Sequence, residues 1–456
     1  MKRYHYIFIF LVWGSITFTG CDNYLDITPK GKTLLTTVTD YDQWMNDPNI
    51  AVGYGKPTGL TNYLADNVDY VGITTPPTLP AELMYTWALQ FSTDINSSPP
   101  LWGEHYANIN HFNTVLTGID EASGGTQLQK RSLKSEALLA RALEYFYLVN
   151  EYGKPYDAAS AAKDPGVPFV TSNDVTQTVP PRSTVAEIYQ HIIDDINAAI
   201  PDLPADNSAN RLRGSTAAAY SVLARVYFYM GDYVKAKENA ELALSKTKAV
   251  MIDLNGSLPS SDLVSVRPDV IYGRYVLGNA IVSLEFMRSF AANDLRVPTL
   301  YYSTDGYQYT VRGATRFTPL LITPTLQYVN TGTSVQEMLL IIAESAARGN
   351  ELSVALQQLD EVRRNRFDTD SYVPFSSADK ETVLEEVLLE RYHELGFSGL
   401  RWFDMRRLDK ENRMGTVTRY DASGNILATL PPHSDRYTLQ IPFQVLSFNP
   451  GMPQNP

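Results

Sequence analysis

Apolar residues return at helical spacing in several stretches of the chain. Between 131 and 152, Leu138, Ala142, Tyr145, Val149 and Tyr152 follow alternating steps of four and three, which predicts one apolar stripe along a helix. Gly153 and Pro155 then stop it. Between 183 and 200, Thr184 and Glu187 have the spacing of a capping box, Ile188, Ile192 and Ile196 line one face, and Pro201 ends the helix. Further helices are predicted near 103–118 and 379–395. Strand-like patterning is scarce; 280–288 and 436–443 are the best short candidates.

The most regular unit is 220–244. Tyr220, Leu223, Ala224, Tyr227, Gly231, Tyr233, Ala236, Ala240, Ala243 and Leu244 fall at a spacing that resembles the tetratricopeptide repeat, a helix-turn-helix of about 34 residues. Alanine at a helix crossing lets two axes approach, Gly231 ends the first helix, and large residues fill the space between neighbouring repeats. A looser copy runs from 334 to 366 through Ala343, Gly349, Ala355, Leu359 and Val362. One such pair cannot bury its own apolar face, so several must stack into one core. The expected fold is therefore mostly α: a tetratricopeptide-like scaffold of helical pairs near 103–152, 183–246 and 334–395, in a single domain over 33–456. Between the pairs, 48–100, 155–182 and 250–333 lack helical period and are rich in Pro, Gly, Ser, Thr and Tyr. Loops of that length are usually functional or disordered, and their aromatic density argues against disorder.

The start of the chain reads differently. Lys2 and Arg3 precede the apolar run Ile7 to Trp13, and small or polar residues lead to Thr19-Gly20-Cys21, the pattern of an export signal over 1–20. Cys21 is the only cysteine of 456 residues, which excludes an internal disulfide. Its setting resembles the lipobox of bacterial lipoproteins, although Phe18 replaces the usual Leu. That resemblance implies a lipidated mature N-terminus at Cys21, followed by a tether over 21–32. Lys and Arg total 38 against 50 Asp and Glu, a net charge of −12, so a generic phosphate-binding surface is excluded and nucleic acid is not an expected partner.

Four segments, in this order, carry a wider resemblance. They are Cys21 to Asp26 with Pro29; Ser135 to Ala142 running on to Tyr152-Gly153; Glu390-Arg391 and Glu394-Leu395 followed by Gly396 to Arg407; and Ile441-Pro442 with Asn449-Pro450 and the close Gln454-Asn455-Pro456. Together they resemble the SusD/RagB family of outer-membrane lipoproteins of Bacteroidetes. Ser398 stands where that family usually carries a glutamate. The resemblance implies a binding protein with no enzymatic activity and no cofactor. It would cap a SusC-like TonB-dependent transporter at the cell surface and deliver glycan fragments, or in some members peptides. The helical pairs would form the scaffold and the irregular half the ligand surface.

Residue chemistry agrees in kind. Sugars offer flat C–H faces and a rim of hydroxyls, so rings and polar side chains in loops recognise them. Three loop clusters supply both: Asp66, Asn67, Asp69 and Tyr70; Tyr85 and Trp87; and Tyr272, Tyr275, Tyr301, Tyr302, Tyr307 and Tyr309. From these, Asp66, Asn67, Tyr70, Trp87, Tyr301, Tyr302 and Tyr307 are the candidate ligand contacts, although Asp66 and Asn67 also suit a turn. Tyr145, Tyr220 and Tyr227 belong to helix stripes, and Trp102 and Trp402 read as packing residues. No HExxH, GxSxG or phosphate-cradling glycine loop is present, so no metal or catalytic residue is assigned. The alternatives are a peptide-binding lid and a pure interaction scaffold without sugar binding.

Overall fold

The computed structural model describes residues 35–52, 59–70, 72–261, 263–277, 281–301, 315–316, 328–421 and 423–456; the export signal, Cys21 and the tether lie outside the described residues. Fourteen α-helices lie within them. The first seven are α1 (Val38–Met45), α2 (Pro80–Tyr85), α3 (Trp102–Gly118), α4 (Gln127–Tyr152), α5 (Val185–Ala199), α6 (Thr216–Met230) and α7 (Tyr233–Lys246). There follow α8 (Leu284–Arg288), α9 (Arg296–Leu300), α10 (Val335–Arg348), α11 (Leu352–Arg363), α12 (Lys380–Leu395), α13 (Arg401–Lys410) and α14 (Phe443–Phe448). The described strands are short antiparallel pieces of two to five residues.

The long helices pack pairwise as the periodicity predicts: α3 on α4, α4 on α5, α6 on α7, and α10 against α7, α11 and α12. α4 begins four residues before the predicted stretch 131–152, because Thr126 and Gln129 form a reciprocal capping box. Its second half is buried on every side, between α3, α5 and the chain's C-terminal end. Thr184 and Glu187 cap α5 as their spacing predicts. Gly231 ends α6 at φ 78°, the left-handed conformation that glycine adopts without strain. On α7, Ala236, Ala240 and Ala243 are fully buried and let that helix lie close to its neighbours. The fold is thus mostly helical, as expected.

Both predicted strands need correction. In 280–288, only Ile281–Val282 pair as a strand; Ser283 then caps α8 by accepting the Phe286 amide. In 436–443 there is no strand: a 3-10 turn at Asp435–Tyr437 precedes Pro442, which opens α14. At the first place a serine cap overrides a short apolar pattern, and at the second Ser434 caps the 3-10 turn by accepting the Arg436 amide.

The core is cross-tied by buried charge. Arg225 on α6 meets Glu337 on α10 at 2.7 Å, both within 1% of full burial, and donates to the Gly332 carbonyl at 2.7 Å. The C-terminal signature makes a similar frame. Arg391 on α12 meets Asp404 on α13 at 2.9 Å, and Arg407 reaches Glu344 at 2.6 Å. Arg296 sits between Asp294 and Glu390 at 2.6 and 2.7 Å. Burial opposes ionisation of Asp404 and Glu390, but the facing guanidiniums outweigh it and hold both carboxyls down at about 2. Ser398 turns its hydroxyl onto the Leu395 carbonyl at 2.7 Å.

Candidate ligand-binding site

The structure gathers most of the predicted ligand residues into one block and occupies their side chains. Asp66 accepts two hydrogen bonds from Arg401, at 2.7 and 2.6 Å. Asn67 is fully buried and donates to the Gly396 carbonyl at 2.7 Å. Asp69 accepts the Tyr85 hydroxyl at 2.8 Å, and the Tyr70 ring lies between Tyr63 and Tyr85. Trp87, 2% exposed, donates its indole N–H to the Leu64 carbonyl at 2.9 Å. The Arg419 guanidinium covers the Tyr85 and Trp87 rings at 4.4 and 4.5 Å and donates to the carbonyls of Tyr63, Ala65, Val68 and Tyr85. Tyr301 is buried among Phe286, Phe290 and Phe397. Tyr272 is buried beside Arg274, and Tyr275 packs edge-on to Tyr328. Tyr302, Tyr307 and Tyr309 lie outside the described residues.

An open cleft of ≈ 800 Å³ lies elsewhere, over α3. Its floor is Trp102, Tyr106, Ile109 and Asn110 on that helix. One wall is the 168–180 strap and the other is α14 with the 95–99 turn. The strap is sewn down from below: Tyr106 donates to the Pro168 carbonyl at 2.7 Å, Asn113 to Val170 at 2.9 Å, and Asn110 to Asn173 at 3.0 Å. Tyr145 closes the seam by accepting the Val170 amide at 2.7 Å. Phe169 stacks on His191 with ring centroids 3.9 Å apart. On the far side, Gln444 donates to the Asp94 carbonyl and the Phe443 amide donates to Gln90, which fixes α14 to the loop before α3.

The cleft combines wet and apolar surface. Phe448 is 83% exposed on one wall and Val175 86% exposed on the other. Trp102 packs edge-on against Tyr152 and tilts onto Tyr106, so the residue read from sequence as packing also forms floor. Burial raises the Tyr106 phenol well above its ordinary value, keeping it a neutral donor. Below the floor, His105 meets Glu144 at 2.6 Å and Glu151 at 3.5 Å. Burial alone would lower that imidazole, but the two carboxylates push it up to about 10, so it is a charged strut between α3 and α4. Asp174, the one carboxylate among the described residues that line the cleft, accepts from the Thr176 amide and hydroxyl. Hydroxyls, amides and ring faces remain, which suit binding.

Sequence reasoning missed Phe169, Val175 and Phe448. Val175 sits alone in a polar stretch, Asp174-Val175-Thr176, whereas Phe448 closes the apolar run Phe443, Val445, Leu446 and reads as one more packing residue. For Val175 that isolation is the only signal. A second, smaller cavity of ≈ 110 Å³ beside Tyr301 and Tyr328 is lined by Arg267, Asp269, Arg366 and Glu394. Those charges are already paired with one another, at 2.8 and 2.7 Å.

Comparison with known proteins gives the same family at both ends of the chain. A family model described as "Starch-binding associating with outer membrane" matches residues 24–228, and the SusD family model matches 336–456. A SusD-like protein of Formosa agariphila is 23% identical over 94% of this chain and 97% of its own. The fold matches solved structures, including a SusD superfamily protein of Bacteroides thetaiotaomicron at 21% identity and TM-score 0.73, covering 92% of this chain and all of that one. A putative sugar binding protein of Bacteroides vulgatus matches at 21% identity and TM-score 0.70, over 93% of this chain and 99% of that one. With the helical-pair scaffold and the charge frame of the C-terminal signature in place, this chain belongs to the SusD/RagB family.

Proposed function

We propose that the protein is a cell-surface lipoprotein that captures oligosaccharide and delivers it to a SusC-like TonB-dependent transporter, acting as its lid. The observation that carries the reading is the ≈ 800 Å³ cleft, with exposed apolar side chains above an amide- and hydroxyl-rich lining, in a chain of this family. Cys21 supplies the anchor: each buried CH₂ of an acyl chain adds about 0.8 kcal/mol of membrane affinity, so several chains on one cysteine hold the protein firmly. Among the described residues no helix is long and apolar enough to cross a membrane. As a lid, the protein favours the closed state only as far as ligand binds that state more tightly than the open one. The same cleft does binding work and no turnover.

The test has two arms. Native gels containing single polysaccharides should retard the mature protein with at least one of them, without release of reducing ends. Mild detergent extraction of the native membrane should bring down a β-barrel transporter with it, and Cys21→Ser should release the protein from the membrane fraction. Failure of every glycan to retard the folded protein would remove the capture role, and a protein extracted alone would remove the lid.

A further inference from the structure

We infer that the cleft over α3 is a site for an uncharged glycan and that it rejects uronate- or sulfate-bearing ones. This rests on the capture reading above and narrows it. Of the 24 described residues that line the cleft, Asp174 alone carries a charge, where the chain's 19% charged composition would supply four or five. Among the described residues no lysine or arginine lines it.

Two guanidiniums beside residues of the strap, those of Arg141 and Arg182, are committed elsewhere. Arg141 grips Asp195 through two hydrogen bonds of 2.9 and 2.8 Å, donates to Asn113 at 2.9 Å, and lies over the Phe169 ring. Arg182 donates to the carbonyls of Pro165, Gly166 and Pro453 and to Asn455. A carboxylate or sulfate brought into the cleft would therefore give up water without gaining a cationic partner. Sugar hydroxyls meet the opposite situation. The amides of Asn96, Gln177 and Asn449 and the hydroxyls of Ser98 and Thr178 both donate and accept, as a hydroxyl does. Phe448, 83% exposed, supplies a face for the C–H surface of a pyranose ring.

The experiment uses the mature full-length protein and matched polymers that differ only in charge. These are polygalacturonate against its carboxyl-reduced form, and a sulfated galactan against its desulfated form, alongside neutral glucans, mannans and xylans. Retardation is measured in ordinary buffer and in about 0.5 M salt, where the Debye length falls to about 4 Å and repulsion from the acidic surface is screened. We expect a neutral polymer to be bound. Any acidic counterpart should bind roughly tenfold to a hundredfold more weakly, with the gap persisting in salt. Phe448→Ala should weaken neutral binding several-fold; the side chain is exposed, so circular dichroism should stay unchanged. Equal binding of an acidic polymer, a preference that vanishes in salt, or neutral binding indifferent to Phe448→Ala would each overturn the inference while leaving capture intact. Retention of peptides with no glycan bound, or of nothing at all, would instead defeat the capture reading and this inference with it.

Discussion

The Asp66 carboxylate meets Arg401 through two hydrogen bonds, and the same guanidinium lies 4.1 Å from the centre of the Tyr392 ring. Burial would disfavour that cation, but Asp66 overrides it and raises its affinity for the proton. Removing Asp66 leaves a buried charge without its counterion, so Asp66→Ala should cost about 3 kcal/mol of stability. The urea midpoint should fall with an unchanged slope. Asn67, Trp87 and Tyr301 tell the same story of polar or aromatic loop residues with internal partners. The sequence offered their chemistry, but Arg401 lies 335 positions from Asp66 and Gly396 lies 329 from Asn67. No local pattern carries a pairing at that range. Phe448 is the reverse case: its side chain faces solvent, and nothing in its neighbours' periodicity distinguishes it.

At the scale of elements, what could be read was whatever is locally encoded. α4 to α7 and α10 to α12 follow from apolar period, capping boxes and Gly231, because those signals act within a few residues. The strap and the chain's end were illegible, since long-range hydrogen bonds hold them. Asn455 is the clearest instance. Its amide donates at 2.7 Å to both the Tyr152 and Leu439 carbonyls, and its oxygen accepts from Arg182 at 2.8 Å. One side chain thus joins the end of α4, the segment before α14 and the base of the strap. Asn455→Ala would leave two buried carbonyls and one guanidinium arm unpaired, at roughly 2 kcal/mol. Hydrogen exchange should quicken at both cleft walls, in 165–184 and 439–448, while α6 and α7 keep their protection. Uniform acceleration across all helices would show that the residue serves global stability and not the cleft.

Across the whole molecule, buried ionisable groups set the response to acid. His393 lies between Phe290, on which it stacks at 4.1 Å, and the Ser289 hydroxyl at 2.8 Å, with Arg296, Arg363 and Glu390 nearby. Burial, helped by Arg296, lowers its imidazole to about 3, so it stays neutral in the fold. An unfolded chain takes up that proton near 6.5, and the folded one does not. Stability is therefore lost as pH falls below about 6.5, by about 2 kcal/mol at pH 5 from this group alone. Asp404 and Glu390, held at about 2, add a second loss at lower pH. Their contribution is complete above the ordinary carboxylate range and disappears as pH drops through about 2. The two phases separate by substitution. His393→Phe keeps an aromatic ring against Phe290 and should flatten the melting temperature between pH 6.5 and 5, leaving the steeper fall below pH 4 in place. A variant that still loses melting temperature over the upper interval would show that His393 is not the group responsible for that phase.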